Sequence, residues 1–244
     1  MARVRPALLV HGAWHGAWCW ATLQAELDRR GIPSYAFDLP GHGASTLPLG
    51  DLHGDAAHVA AVLAGIDDEV VLVGHSYGGA VITHATGSAH SVADRVAHLV
   101  YVTAFALDDG ESVWGFSRSR PRVPVALDGA VLAGDDGTSR LDPERAPAAL
   151  YAKCPPVAVA AAVARLGPQP TVSFQQPVAG SPRATIGSTF VKCTVDEAIH
   201  ISLQDELATR CDHIVSLDSD HSPFMAMPEA VADVIEPLTR RSPR

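Results

Sequence analysis

Long apolar runs, paired cysteines and clustered positive charge are all scarce in this 244-residue chain, and each scarcity closes off a class of protein. No apolar stretch approaches the roughly 20 residues that a membrane-spanning helix needs, so no bilayer span is expected. The only cysteines, Cys19, Cys154, Cys193 and Cys211, lie far apart with no C-x-x-C pair. They read as reduced thiols, which points to the cytoplasm. Residues 2–10 are too short and too broken by Arg and Pro to serve as a signal sequence. Lys and Arg number 18 against 27 Asp and Glu, a formal charge of -9. That balance argues against nucleic acid or an anionic membrane as partner, because both need clustered cations to neutralise phosphate. A neutral small molecule is the expected ligand.

Apolar residues are plentiful at 47%, with 18% charged, so one large core can be buried. A chain of this length needs no second domain, and a single unit over residues 1–244 is expected. Short apolar runs at 7–11, 34–38, 70–73 and 96–103 read as strands, and Ala-rich stretches at 17–30, 52–64 and 77–87 read as helices. Their alternation predicts an α/β fold, a mainly parallel sheet flanked by helices on both faces. Between about 106 and 184, Pro, Gly and short helical pieces such as 157–164 break the pattern, which predicts an insertion folding over the sheet. Strand 189–194, a helix near 202–209, strand 213–217 and a helix near 228–238 then resume it.

Residues 74–79 read Gly-His-Ser-Tyr-Gly-Gly, between a strand and a helix. In an open parallel sheet ligands meet the carboxyl ends of the strands. A G-x-S-x-G at such a junction is a nucleophile elbow: the tight turn lifts Ser76 above the sheet edge, and the small residues let strand and helix approach. The following helix aims backbone N–H groups at the same point, so the N–H of Tyr77 is a candidate oxyanion donor.

A serine hydroxyl needs a base, and on this architecture the order is Ser, acid, His. Of twelve histidines, His221 alone occupies a loop after the last strand at the active edge. His11, His15, His42, His53 and His58 precede the serine, His75 should point away at the elbow, and His84 and His90 fall in or after the next helix. His200 and His213 lie inside or beside elements. Asp196 ends the preceding strand, and 221 minus 196 leaves 25 residues, enough for one helix and one strand. Asp108, after the strand ending at Thr103, is the rival acid; Asp220 reads as structural because neighbours in an extended loop point apart. The loop after the first strand, His11-Gly-Ala-Trp-His15, offers the N–H of Ala13 as a second oxyanion donor. His11 and His15 stand four apart but on strand and loop, with no acidic third ligand nearby, so no metal is expected.

These residues resemble a known group, the α/β-hydrolases related to plant methyl-ester esterases and hydroxynitrile lyases, with their bacterial counterparts. The matching stretches are LLVHGAWHGAWCW (8–20), DLPGHGAS (38–45), VLVGHSYGG (71–79), VKCTVDEAIHISLQ (191–204) and DHSPFMAMP (220–228). The resemblance implies an α/β-hydrolase fold with a small lid (cap) at 106–184 and a Ser76, Asp196, His221 triad, favouring Asp196 over Asp108. In lyases of the group a threonine stands where this chain has Gly12, a glutamate where it has His75, and a lysine where it has Ser222. All three marks are missing here, which implies an esterase.

The resulting expectation is a serine hydrolase cleaving a small apolar or aromatic ester or lactone through an acyl-enzyme, without cofactor or metal. Two alternatives stand beside it: a non-hydrolytic tailoring enzyme of lyase or cyclase type, and a ligand-binding receptor with little turnover. The sequence carries no signal for oligomeric state.

Overall fold

A computed structural model of the chain describes residues 4–87 and 92–240, so His90 and the first residues of the 2–10 segment lie outside the described residues. Six parallel strands form the main sheet: β1 (Ala7–Val10), β2 (Ser34–Ala36), β3 (Val70–His75), β4 (Val96–Val102), β8 (Ser188–Cys193) and β9 (His213–Leu217). Their spatial order is β2-β1-β3-β4-β8-β9.

The continuous apolar strands follow from burial on both faces. Leu8, Val10, Val70 and Leu72 enter one core with Val59 of α2 (Leu52–Ala64) and Ile82 of α3 (Tyr77–Thr86). Their alternates Ala7, Leu9, Val71 and Val73 enter the other, with Leu27 of α1 (Ala21–Arg29) and Ile235 of α10 (Pro228–Thr239). Each fully buried Leu or Val contributes about 1.5–3 kcal/mol, so the two central strands are held from above and below.

The helix ends have local causes. Asp51 caps α2 by accepting a hydrogen bond from the N–H of Gly54. Gly31, at φ +72°, ends α1 in the left-handed conformation, and the N–H of Ile32 reaches back to the Leu27 carbonyl at 2.9 Å. The helix expected over 17–30 starts as a 3-10 turn at Ala17–Trp20 before becoming α1.

The stretch between β4 and β8 holds α4 (Val113–Arg118), α5 (Ala126–Ala130), α6 (Ala146–Leu150), α7 (Pro156–Val163) and a second, antiparallel sheet. Its strands, β5 (Val131–Ala133), β6 (Thr138–Leu141) and β7 (Gln169–Pro170), run in the order β5-β6-β7. This small sheet has no counterpart in the sequence reading: its strands are two to four residues long, too short for a period-2 signal. α8 (Ile201–Ala208) lies between β8 and β9, and a single helical turn, α9 (Pro223–Ala226), follows β9. No helix among the described residues is long and apolar enough to cross a membrane. The four cysteines are free thiols.

Candidate active site

Because all six strands of the main sheet are parallel, their carboxyl ends share one edge, and the chain leaves them there at His11, Phe37, Ser76, Thr103, Thr194 and Asp218. Ser76 stands between β3 and α3 with φ +53° and ψ -121°, a left-handed backbone that is strained for a residue bearing a Cβ. The turn closes only with glycine around it. A Cβ on Gly74 would sit 2.7 Å from the Gly78 carbonyl oxygen, and one on Gly78 would sit 2.7 Å from the carbonyls of Val10 and His11. Tyr77 is the first residue of α3, so its N–H has no intrahelical acceptor.

His221 lies in the loop after β9 and is 2% exposed. Its Nδ1 is 2.8 Å from Asp196 Oδ2. An ionised carboxylate only accepts, so Nδ1 carries the proton, and in the neutral ring Nε2 keeps a lone pair. Asp196 is held by four further donors: Oδ1 accepts from the N–H groups of Ala198 (2.7 Å) and Ile199 (2.9 Å), and Oδ2 from Gln204 Nε2 (3.2 Å) and the Thr103 hydroxyl. Asp108, the rival, makes no such contact; it is exposed and paired with Arg183 (2.6 Å) and Arg210 (3.5 Å). Asp220 accepts from the N–H of Lys153 (2.6 Å) and of Ser222 (2.9 Å), holding the loop on either side.

The loop after β1 presses on the elbow: a Cβ on Gly12 would lie 2.9 Å from Ser76 Cβ. Two buried histidines pin this loop. His11 Nε2 accepts from the N–H of Leu39 (3.0 Å), so Nδ1 carries the proton and donates to the Gly12 carbonyl (2.8 Å). His15 Nδ1 donates to the Ala13 carbonyl (2.8 Å), and its Nε2 pairs with the Tyr151 hydroxyl (2.7 Å). In a trans peptide C=O and N–H point in opposite directions. Holding the Gly12 carbonyl therefore fixes where the Ala13 N–H aims. Burial pushes His11 well below the usual histidine range and takes His15 down to about 4, so both rings are neutral near pH 7.

His75, expected to point away at the elbow, does not line the cavity. It is turned from the cavity onto His221: Nε2 donates to the His221 carbonyl at 2.8 Å, and the rings stand 4.6 Å apart. Burial, with His221 next in weight, lowers its pKa well below 6.5. Sequence reasoning missed this contact, as it missed Thr103, Gln204 and Tyr151. A single strand-end threonine or a helix-borne glutamine has no motif of its own.

Ser76, Tyr77 and Ala13 share the wall of a cavity of about 660 Å³, whose other lining includes Trp14, Phe105, Trp114 and Phe174. Among the described residues no cluster of three or more His, Cys, Asp or Glu is arranged to hold a metal ion.

A parallel α/β sheet with a serine elbow, and a histidine–carboxylate pair beyond its later strands, is a fold of the hydrolase type, and comparison with known proteins agrees on the fold. The chain belongs to the alpha/beta hydrolase family, whose profile matches residues 7–234. It is similar to a carbendazim-hydrolysing esterase of Nocardioides sp. strain SG-4G, 39% identical over 110 residues that make up 43% of this chain and 44% of that protein. Among solved structures it is similar to a pyrethroid hydrolase from Sphingobium faniae JZ-2 (27% identity, TM-score 0.83, 97% of each chain covered). It is also similar to the methylesterase MES16 from Arabidopsis (26% identity, TM-score 0.78, covering 95% of this chain and 97% of that one). The alignments span 44 to 64% of the length of the first curated relatives. The family resemblance drawn from the motifs thus holds.

Proposed function

We propose that the protein is a serine esterase that hydrolyses a small carboxylic ester or lactone with an apolar or aromatic body, through an acyl-enzyme. Ser76 is the nucleophile, His221 the general base and then acid, Asp196 the orienting carboxylate, and the N–H groups of Ala13 and Tyr77 the oxyanion donors. The observation that carries this reading is that a left-handed serine elbow lining an apolar cavity and a buried His221–Asp196 bond both follow the carboxyl ends of one parallel sheet, with His75 of the elbow bonded to the His221 carbonyl.

The chemistry follows from the parts. Ser76 Oγ attacks the ester carbonyl carbon while His221 Nε2 takes its proton, and the carbonyl electron pair moves onto oxygen between the two N–H donors. Asp196 holds the Nδ1 proton and stabilises the imidazolium. The ester C–O bond then breaks as His221 returns its proton to the departing alcohol. Water, deprotonated by the same nitrogen, attacks the acyl-enzyme and frees Ser76. Residues 106–184 act as the lid over this site. The relatives named for carbendazim, pyrethroid and methyl-ester hydrolysis support a small ester as substrate. Four free thiols fit a reducing compartment such as the cytoplasm.

A lyase reading needs a cation after the catalytic histidine. Ser222 occupies that position, fully buried, its hydroxyl without a hydrogen-bond partner among the described residues. Hydrolysis of short-chain p-nitrophenyl esters by wild type and Ser76→Ala tests the proposal. Loss of roughly 10³-fold or more in kcat is expected for the variant. Equal rates in both proteins, or ligand binding without turnover in wild type, would overturn it.

A further inference from the structure

The chain as a whole is acidic, at -9, yet the charges that line the cavity run the other way: Arg118, Arg120 and Arg122 against Asp128, with His200 and Tyr77 as the other titratable groups. Their commitments differ. Arg120 is taken by Glu206 and by the carbonyl and ring of Phe116. Arg122 faces Asp128 at 3.3 Å. Glu197, just before α8, and Glu206 within it are turned to the N–H of Ala126 and to Arg120 and Arg210, respectively. Arg118 makes no ion pair among the described residues; its guanidinium carbon lies over the Trp114 ring, 4.1 Å from the centre.

That stacking places Arg118 at the end of an aromatic ladder. Trp114 stacks on Phe174 (5.9 Å, 30° between planes), and Phe174 meets Tyr77 edge-on (5.7 Å), the residue next to Ser76. One cavity wall therefore runs from the serine elbow, across apolar rings, to a free cation. Stacking on a ring restrains a guanidinium while leaving its N–H edges exposed, the arrangement in which arginine takes a carboxylate with two parallel hydrogen bonds. The expectation of a neutral ligand came from net charge, which says nothing of how charge is placed around one cavity.

We infer that Arg118 binds a carboxylate on the substrate, at the end remote from the scissile bond, so that the preferred substrate is a half-ester: an apolar middle on the Trp114–Phe174 wall and an anion at the rim. This inference rests on the ester-hydrolase reading above and adds the class of substrate to it.

The test compares matched p-nitrophenyl esters that differ only in the terminal carboxylate: adipate against hexanoate, suberate against octanoate, sebacate against decanoate. The expected result is a kcat/KM ratio, half-ester over alkanoate, above one for at least one length. That ratio should fall about tenfold in Arg118→Gln, in line with the worth of a hydrogen bond to a charged group at a partly exposed site. It should also fall as salt rises from about 20 to about 500 mM, because screening shortens the reach of the charge. Arg29→Gln, on the surface of α1, should leave the ratio where it was. If Arg118 only packs against Trp114, its loss changes both esters alike and the ratio holds. An unchanged ratio in Arg118→Gln, or a ratio below one at every length, would overturn the inference while leaving the esterase standing. A wild type inactive on both members would refute the esterase reading itself.

Discussion

Replacing Gly12 by alanine adds one methyl group at a tight point between the loop after β1 and the elbow. The new carbon would stand 2.8 Å from His75 Nδ1 and 2.9 Å from Ser76 Cβ. Ordinary carbon contacts lie at about 3.5–4.0 Å, so one side must give way by about 0.6–1 Å. His75 cannot swing aside: its Nε2 is bonded to the His221 carbonyl, and its ring sits against Trp20, Phe224 and His221. Ser76 is locked by its carbonyl, which accepts from the N–H groups of Gly79 (3.0 Å) and Phe105 (3.1 Å). The loop carrying Ala13 is therefore the part that moves, and its N–H leaves the proposed oxyanion position. A misplacement near 1 Å costs up to about 10²-fold in rate, and loss of one oxyanion donor about 10²- to 10³-fold. The expected result for Gly12→Ala is a kcat on p-nitrophenyl butyrate lowered about 30- to 300-fold with KM little changed, in a protein whose melting temperature shows it folded. A folded variant within twofold of wild type would refute the placement of Ala13 in the oxyanion site.

Three further outcomes follow from the same geometry. Asp196→Asn should lower kcat on the order of 10⁴-fold by the logic of the triad, whereas Asp108→Asn, which only releases Arg183 and Arg210, should leave it unchanged; the reverse pattern in the same assay would reassign the acid. His11→Leu removes the donor that holds the Gly12 carbonyl, so kcat should drop about tenfold or more while KM stays level, and an equal rise in KM would point to general disorder instead. The third concerns pH. His11, His15 and His75 are depressed by burial in the folded chain, so the unfolded chain binds more protons between about pH 4 and 6.5, and stability falls as pH drops through that window. Asp55, pushed up to about 7 by burial, acts oppositely: its contribution is present at low pH and lost as pH rises through 7. His42 and His98 are lowered by burial too, so the depressed histidines outnumber the one raised carboxylate and the melting temperature should be lower at pH 5 than at pH 7.5; an unchanged or higher value would contradict it.

What could be read from the chain alone follows physical range. Strands such as 70–75 are apolar throughout because the sheet is covered on both faces, and that pattern is local, so the sheet was legible. The places of the candidate residues Ser76, Asp196, His221, Ala13 and Tyr77 were legible because each was expected beyond a strand end or at a helix start, which converts chain order into spatial order. The supports of those residues were not. Tyr151 reaches His15 across 136 residues, and Thr103 reaches Asp196 across 93; such contacts are made by folding and leave no mark on either neighbourhood. His75 was read as turned away, which describes its relation to the cavity but not its bond to the His221 carbonyl. The sheet formed by β5, β6 and β7 escaped for another reason: pieces this short are held by tertiary pairing, not by their own periodicity.

The central claim is that Ser76 carries the acyl group during turnover. It is tested most directly by incubating the protein with p-nitrophenyl acetate or a fluorophosphonate, quenching, and locating the adduct by mass spectrometry. The account predicts one equivalent of modification on the peptide containing Gly74-His-Ser76, none in Ser76→Ala, and modification slowed at least tenfold in His221→Ala. An adduct on any other residue, or continued hydrolysis with Ser76 unmodified, would contradict it.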